Sequence, residues 1–84
     1  MKSLECDVYK SAKKEYLYLF VPADEGMARV PSELLAKFGE PEKTLSLTLT
    51  QEHVLAKEDP LQVLHNLQQH GYHLQLPPAE DYFV

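Results

Sequence analysis

Four histidines, His53, His65, His70 and His73, are the side chains of this sequence best suited to proton transfer or metal binding near neutral pH. Their spacing supports neither. His65 and His70 are five residues apart, which puts them on different sides of one helix. Neither a zincin pattern nor a paired cysteine–histidine motif occurs. Surface or capping roles fit the four better, with His70 near a helix end where a protonated imidazole would meet terminal carbonyls. The acids are no more specific. Glu40 and Glu42, Glu58 and Asp59, and Glu80 and Asp81 form close pairs, but no buried cradle or aromatic substrate track accompanies them. Asp59 has a structural role available as a helix cap. Ser11 and Ser32 lack a nucleophile elbow, and the 3 glycines do not form a phosphate loop. No catalytic, cofactor or metal residue is assigned, and the reading leans away from an enzyme without deciding the point.

Residues suited to binding are easier to find. Arg29 is the only arginine and stands at the mouth of a helix, where its donor fork could hold a carboxylate or phosphate; a local ion pair or loop anchor is the alternative. Tyr16, Tyr18 and Tyr72 would make a hot spot if one sheet face exposed them together, or would flank the core with their hydroxyls on polar partners. Gln75, between Leu74 and Leu76, is a recognition donor or a solvent residue. Lys10, Lys13 and Lys14 cluster near a turn and could touch phosphates, or simply solvate a hairpin. Cys6 is the lone cysteine, so there is no internal disulfide, and its alternation with Leu4 and Val8 reads as a small buried hydrophobe.

The elements that must position these residues follow from periodicity. Leu4, Cys6 and Val8 alternate with Glu5, Asp7 and Tyr9 as in a strand covered on one face. After a polar turn at Ser11 to Lys14, a second strand sets Leu17, Leu19 and Val21 opposite Tyr16, Tyr18 and Phe20, the pattern of a central strand, and Pro22 ends it. A helix enters near Val30 or Pro31, stripes Leu34, Leu35 and Phe38 on one side and stops at Gly39. Thr44 to Thr50 alternates three leucines with four hydroxyl residues, a strand with one packed face. His53, Val54 and Leu55 support at most a short turn. Asp59 and Pro60 open a second helix with Leu61, Val63, Leu64 and Leu67 on its apolar face, and Gly71 breaks it. Tyr72 to Leu76 forms a last strand ended by Pro77 and Pro78. The order is β-β-α-β-α-β, an α+β fold of one small sheet with both helices expected on a single apolar face.

Length and charge bound what such a fold can do. Eighty-four residues, 44% hydrophobic and 25% charged, make one small domain, too small for a dinucleotide fold. We place the domain at 1–78 and an acidic, aromatic tail at 79–84. The net charge of -5 is uneven: seven basic residues face eight acidic ones up to Lys43, whereas beyond it Lys57 alone faces five acids. That balance disfavours a nucleic-acid footprint. No apolar run reaches membrane-spanning length and the first residues carry no apolar signal, so a cytoplasmic location is expected.

Several short runs together resemble the YcgL-domain family of bacterial proteins. They are Val8-Tyr9 with the polar turn, Tyr16-Leu17-Tyr18, Arg29-Val30-Pro31 followed by Leu34-Leu35 and Phe38-Gly39, and Gly71 through Pro78. Each run alone is weak; their order and combination, covering nearly the whole chain to Pro78, are specific. The resemblance implies a small cytosolic α/β domain of unestablished biochemical role. The functional expectation is accordingly a protein-interaction or accessory module with a protein partner. A small-ligand sensor or minor enzyme, or a weak nucleic-acid adaptor, is the alternative.

Overall fold

Residues 18–22 set the architecture, because Tyr18 to Pro22 alternates large apolar side chains on both sides and must be covered twice. The computed structural model describes residues 3–50, 52 and 59–76. Within them the chain forms β1 (Ser3–Ser11), β2 (Tyr18–Pro22), α1 (Ser32–Phe38), β3 (Pro41–Thr50), α2 (Pro60–His70) and β4 (His73–Gln75), in the expected order. The strands make one antiparallel sheet with spatial order β3-β1-β2-β4, so the long hairpin β1–β2 lies at its centre. The turn expected at His53 to Leu55, the prolines 77 and 78 and the tail 79–84 lie outside the described residues.

Pairing fixes which side chains share a face. Val8 opposes Phe20 and Cys6 opposes Leu47, so these lie on one face, while Tyr9 opposes Leu19 and Asp7 opposes Val21 on the other. The core is divided accordingly. Cys6, Val8, Phe20 and Leu49 pack with Val63, Leu64 and Leu67 of α2. Leu17, Leu19 and Val21 pack with Val30 and Phe38, the last belonging to α1. The sheet therefore carries one helix on each face, where both helices had been expected on one. The cause is β2, whose two apolar sides cannot be buried by helices sharing a face.

Helix α2 stands largely on its own end signals. The Asp59 carboxylate accepts from the Leu61 amide at 3.1 Å, Pro60 occupies the first turn, and Gly71 closes the helix at φ 84 with its amide donating to Asn66 and Leu67 carbonyls. Leu61, expected on the packed face, is 52% exposed; the burial goes to Val63, Leu64 and Leu67. Helix α1 has seven residues, and no side chain caps its amino end. Its anchor is Phe38, fully buried, whose carbonyl accepts from the Ser11 hydroxyl at the end of β1. The same hydroxyl oxygen accepts from the Lys13 and Lys14 amides, each at 3.0 Å, so one side chain holds both the polar turn and the helix end.

Strand β3 begins earlier than its alternation indicated, at Pro41, which is tolerated because the strand lies at the edge of the sheet. Its register with β1 shifts between Val8 and Tyr9, leaving Thr44 as an extra residue whose hydroxyl donates to the Val8 carbonyl at 3.1 Å.

Candidate functional site

The five residues singled out for binding do not converge. Tyr18 and Gln75 are cross-strand partners on the face that carries α2, and both line a groove of about 420 Å³ with Val8, Phe20, Leu45 and Leu47, with Lys10 at its rim. Tyr72 lies with the other core half, against Leu34 and Pro31 on the opposite side of the sheet. Tyr16 sits in the turn before β2 at positive φ, 66°, and is 60% exposed. Three tyrosines on one surface are therefore not what the fold presents. Pairing of β4 with β2 puts Gln75 and His73 on the face of Tyr18 and leaves Tyr72 on the other.

Arg29 is engaged by the chain itself. Its guanidinium donates to the carbonyls of Gln69 at 2.9 Å and Gln68 at 3.4 Å, and pairs with Glu25 at 3.4 Å. These carbonyls are the acceptors that the last turn of a helix leaves unsatisfied, and a cation is favoured there by the helix dipole. The approach depends on Gly71: a Cβ at that position would fall 2.6 Å from the Cβ of Arg29. Glycine thus both ends α2 and gives Arg29 room to lie across that end.

Chemistry-bearing side chains elsewhere are mostly accounted for. His65 and His70 are exposed on α2, and His53 lies outside the described residues. His73 departs from the expected surface role: it is buried, edge-on to Phe20, and its Nδ1 accepts from the Asn66 amide at 2.9 Å. Asp7 is also buried, accepting from the Ser46 hydroxyl at 2.7 Å with Lys43 at 3.6 Å. Cys6 is fully buried, and burial first and the Asp7 carboxylate second push its thiol up to about 11, so it stays protonated and acts as the small hydrophobe expected. Of the lysine cluster, Lys10 pairs with Glu42 at 3.4 Å and Lys13 donates to the Ala36 carbonyl at 3.3 Å. Among the described residues no three histidine, cysteine or acidic side chains come together to hold a metal ion, and no helix is long and apolar enough to cross a membrane.

What remains most open is the rim of the α2 face. Among the described residues nothing pairs with the outer edge of β3, and from Thr44 to Thr50 that edge carries no charge. Leu45, near the start of this stretch and beside the groove, is 48% exposed. Proline and charge guard only its first three positions, Pro41, Glu42 and Lys43. The polar-apolar period of β3 was visible in the sequence; its edge position was not, because strand order is set by pairings far apart in the chain.

Comparison with known proteins decides the family, since the YcgL domain pattern matches residues 6–78. The chain belongs to the YcgL domain family. A YcgL domain-containing protein of Pseudomonas fluorescens is 48% identical over 79 residues, covering 94% of this chain and 81% of that relative. One from Stutzerimonas stutzeri is 48% identical over 81 residues, covering 96% and 84%, and one from Pseudomonas putida is 49% identical over 79 residues, covering 94% and 81%. Their names describe the YcgL domain and no reaction.

Proposed function

We propose that this YcgL domain is a protein-interaction module that binds an extended segment of a partner along β3, with an apolar side chain of that segment entering the groove beside Leu45. The observation that carries the reading is the uncharged Thr44–Thr50 edge, which ends at a groove floored by Val8, Phe20 and Leu47. An added strand takes its affinity from main-chain hydrogen bonds and its specificity from the side-chain pockets on alternate positions. Here the pocket side is the α2 face. Tyr18 and Gln75 flank it with a ring, a hydroxyl and an amide, and the Lys10–Glu42 ion pair stands at the rim.

Of the five candidate residues, Tyr18 and Gln75 belong to this binding surface, and Arg29 acts within the chain by holding the end of α2. The absence of catalytic spacing in the sequence fits a binding role rather than a reaction. A free, fully buried thiol at Cys6 is compatible with the reducing cytoplasm.

The test is affinity recovery of the tagged chain from cells, comparing the native sequence with Leu45→Lys. Leu45 is half exposed, so the substitution charges the edge while leaving the core intact. A protein that co-purifies with the native chain and is lost with Leu45→Lys supports the reading. Equal recovery with both chains contradicts it.

A further inference from the structure

The other face of the sheet carries a polar hollow along the same edge. It holds about 420 Å³, is lined by Glu5, Asp7, Ala23, Ser46 and Thr48, and draws none of its lining from a helix. Cross-strand pairing sets Asp7 beside Ser46 and Glu5 beside Thr48, on the face of Val21. Asp7 is only 8% exposed, yet both of its contacts fall on one oxygen: Oδ1 accepts from the Ser46 hydroxyl at 2.7 Å and lies 3.6 Å from the Lys43 ammonium. Among the described residues Oδ2 takes no partner, and it stays open to solvent. We propose, on the reading that β3 is the binding edge, that Oδ2 of Asp7, with Glu5 at the rim, binds a lysine or arginine side chain of the segment that adds to β3, one position along from the apolar side chain in the groove.

Position, length and sign all select this occupant. Side chains of an added strand alternate between the two faces. Residues opposite Leu45 or Leu47 therefore turn to the groove, and the residue between them, opposite Ser46, turns to Asp7. Asp7 stands on β1, two strand spacings or roughly 10 Å from the added backbone. A serine, threonine or asparagine cannot span that distance, whereas the four-carbon stem of lysine or the fork of arginine reaches across the short Ser46 side chain. Two carboxylates, Glu5 and Asp7, and one ammonium, Lys43, meet there, so the hollow favours a cation, and a charge-assisted hydrogen bond to Oδ2 is the strong contact on offer. The net charge of -5 draws a basic segment to the chain over longer range as well.

The test pans a library of random peptides against the full chain and keeps those whose binding is lost with Leu45→Lys. The expected peptides carry lysine or arginine next to an apolar residue. For one of them, exchanging that cation for methionine, on the native chain and on Asp7→Asn, gives a double-mutant cycle. Asparagine keeps an oxygen for the Ser46 hydroxyl. On the native chain the methionine peptide should bind about tenfold more weakly, and on Asp7→Asn the two peptides should bind alike. Should Asp7→Asn melt below the assay temperature, Glu5→Gln, at an exposed position, supplies the same cycle with a smaller coupling. Leu45-dependent peptides without the cation, or a cation whose loss costs the same on native and variant chains, overturn the proposal and leave the binding edge standing. A library with no Leu45-dependent peptide overturns both.

Discussion

The face of the sheet under α2 and the face under α1 both bury leucine, valine and phenylalanine, yet their helices are terminated by different means. α2 brings its own cap, its own proline and its own glycine, and buries Val63, Leu64 and Leu67 along eleven residues. α1 has seven residues, buries Phe38 alone and takes its carboxyl-terminal partner from Ser11, 27 positions away in the chain. The difference is one of range. Local signals mark both ends of α2, whereas α1 takes its end contact from the β1–β2 turn.

Substitutions on the two faces should reproduce this contrast, and the largest effect belongs to the borrowed helix. Phe38→Ala empties the only fully buried position of α1 and should cost about 3–5 kcal/mol in denaturant unfolding. A cost below that of Leu61→Ala, on the exposed side of α2, would remove the contrast. Next comes Gly71→Ala, which strains a positive-φ position and drives a Cβ into Arg29; a loss of about 2 kcal/mol is expected. Arg29→Ala in the same background should recover only the part due to the Cδ and Nε contacts at 2.8 Å, because alanine keeps the Cβ that lies 2.6 Å away.

Ser11→Ala and Asp59→Ala compare the two end contacts directly. Removing the Ser11 hydroxyl leaves the Phe38 carbonyl and the Lys13 and Lys14 amides without it, at about 1–3 kcal/mol. Removing the Asp59 cap, which is exposed, should cost about 1 kcal/mol. Thermal unfolding of the pair checks the ranking, and a larger loss from Asp59→Ala would reverse the account of which helix depends on distant contacts.

The smallest effect is a pH dependence confined to the α2 face. The Cys6 thiol is raised from 9.0 to about 11 in the folded chain, so the unfolded chain ionises first as pH rises. Its contribution to stability is complete below pH 9 and declines as pH climbs toward 11. By pH 9.5 the loss should be below about 1 kcal/mol. Cys6→Ala should flatten this part of the stability curve, and an unchanged slope would show that the thiol does not titrate as described.

Much of this was written in short stretches of sequence. Asp59, Pro60 and Gly71 mark the ends of α2 within a dozen residues, and the period of Thr44 to Thr50 marks β3. The two-sided character of β2 was equally visible in Leu17, Leu19 and Val21 against Tyr18 and Phe20; its consequence, a helix on each face, follows only when both sides are required to be covered. Arg29 could not be placed, because the carbonyls it meets lie about 40 residues on and become acceptors only at the end of a folded helix. His73 was misjudged for a related reason. Its alternation puts it opposite Tyr72 and Leu74, which reads as solvent in a one-faced sheet and as core in a two-faced one.

The most direct test of the central claim places a photo-crosslinking residue at Leu45 in one chain and at Leu34 in another, both expressed in bacterial cells. Each position is partly exposed, and they lie on opposite faces. The account predicts a discrete adduct with another protein from position 45 and none from position 34. Adducts from position 34 alone, or from neither position in a folded, well-expressed chain, would contradict the assignment of β3 and its groove as the binding surface.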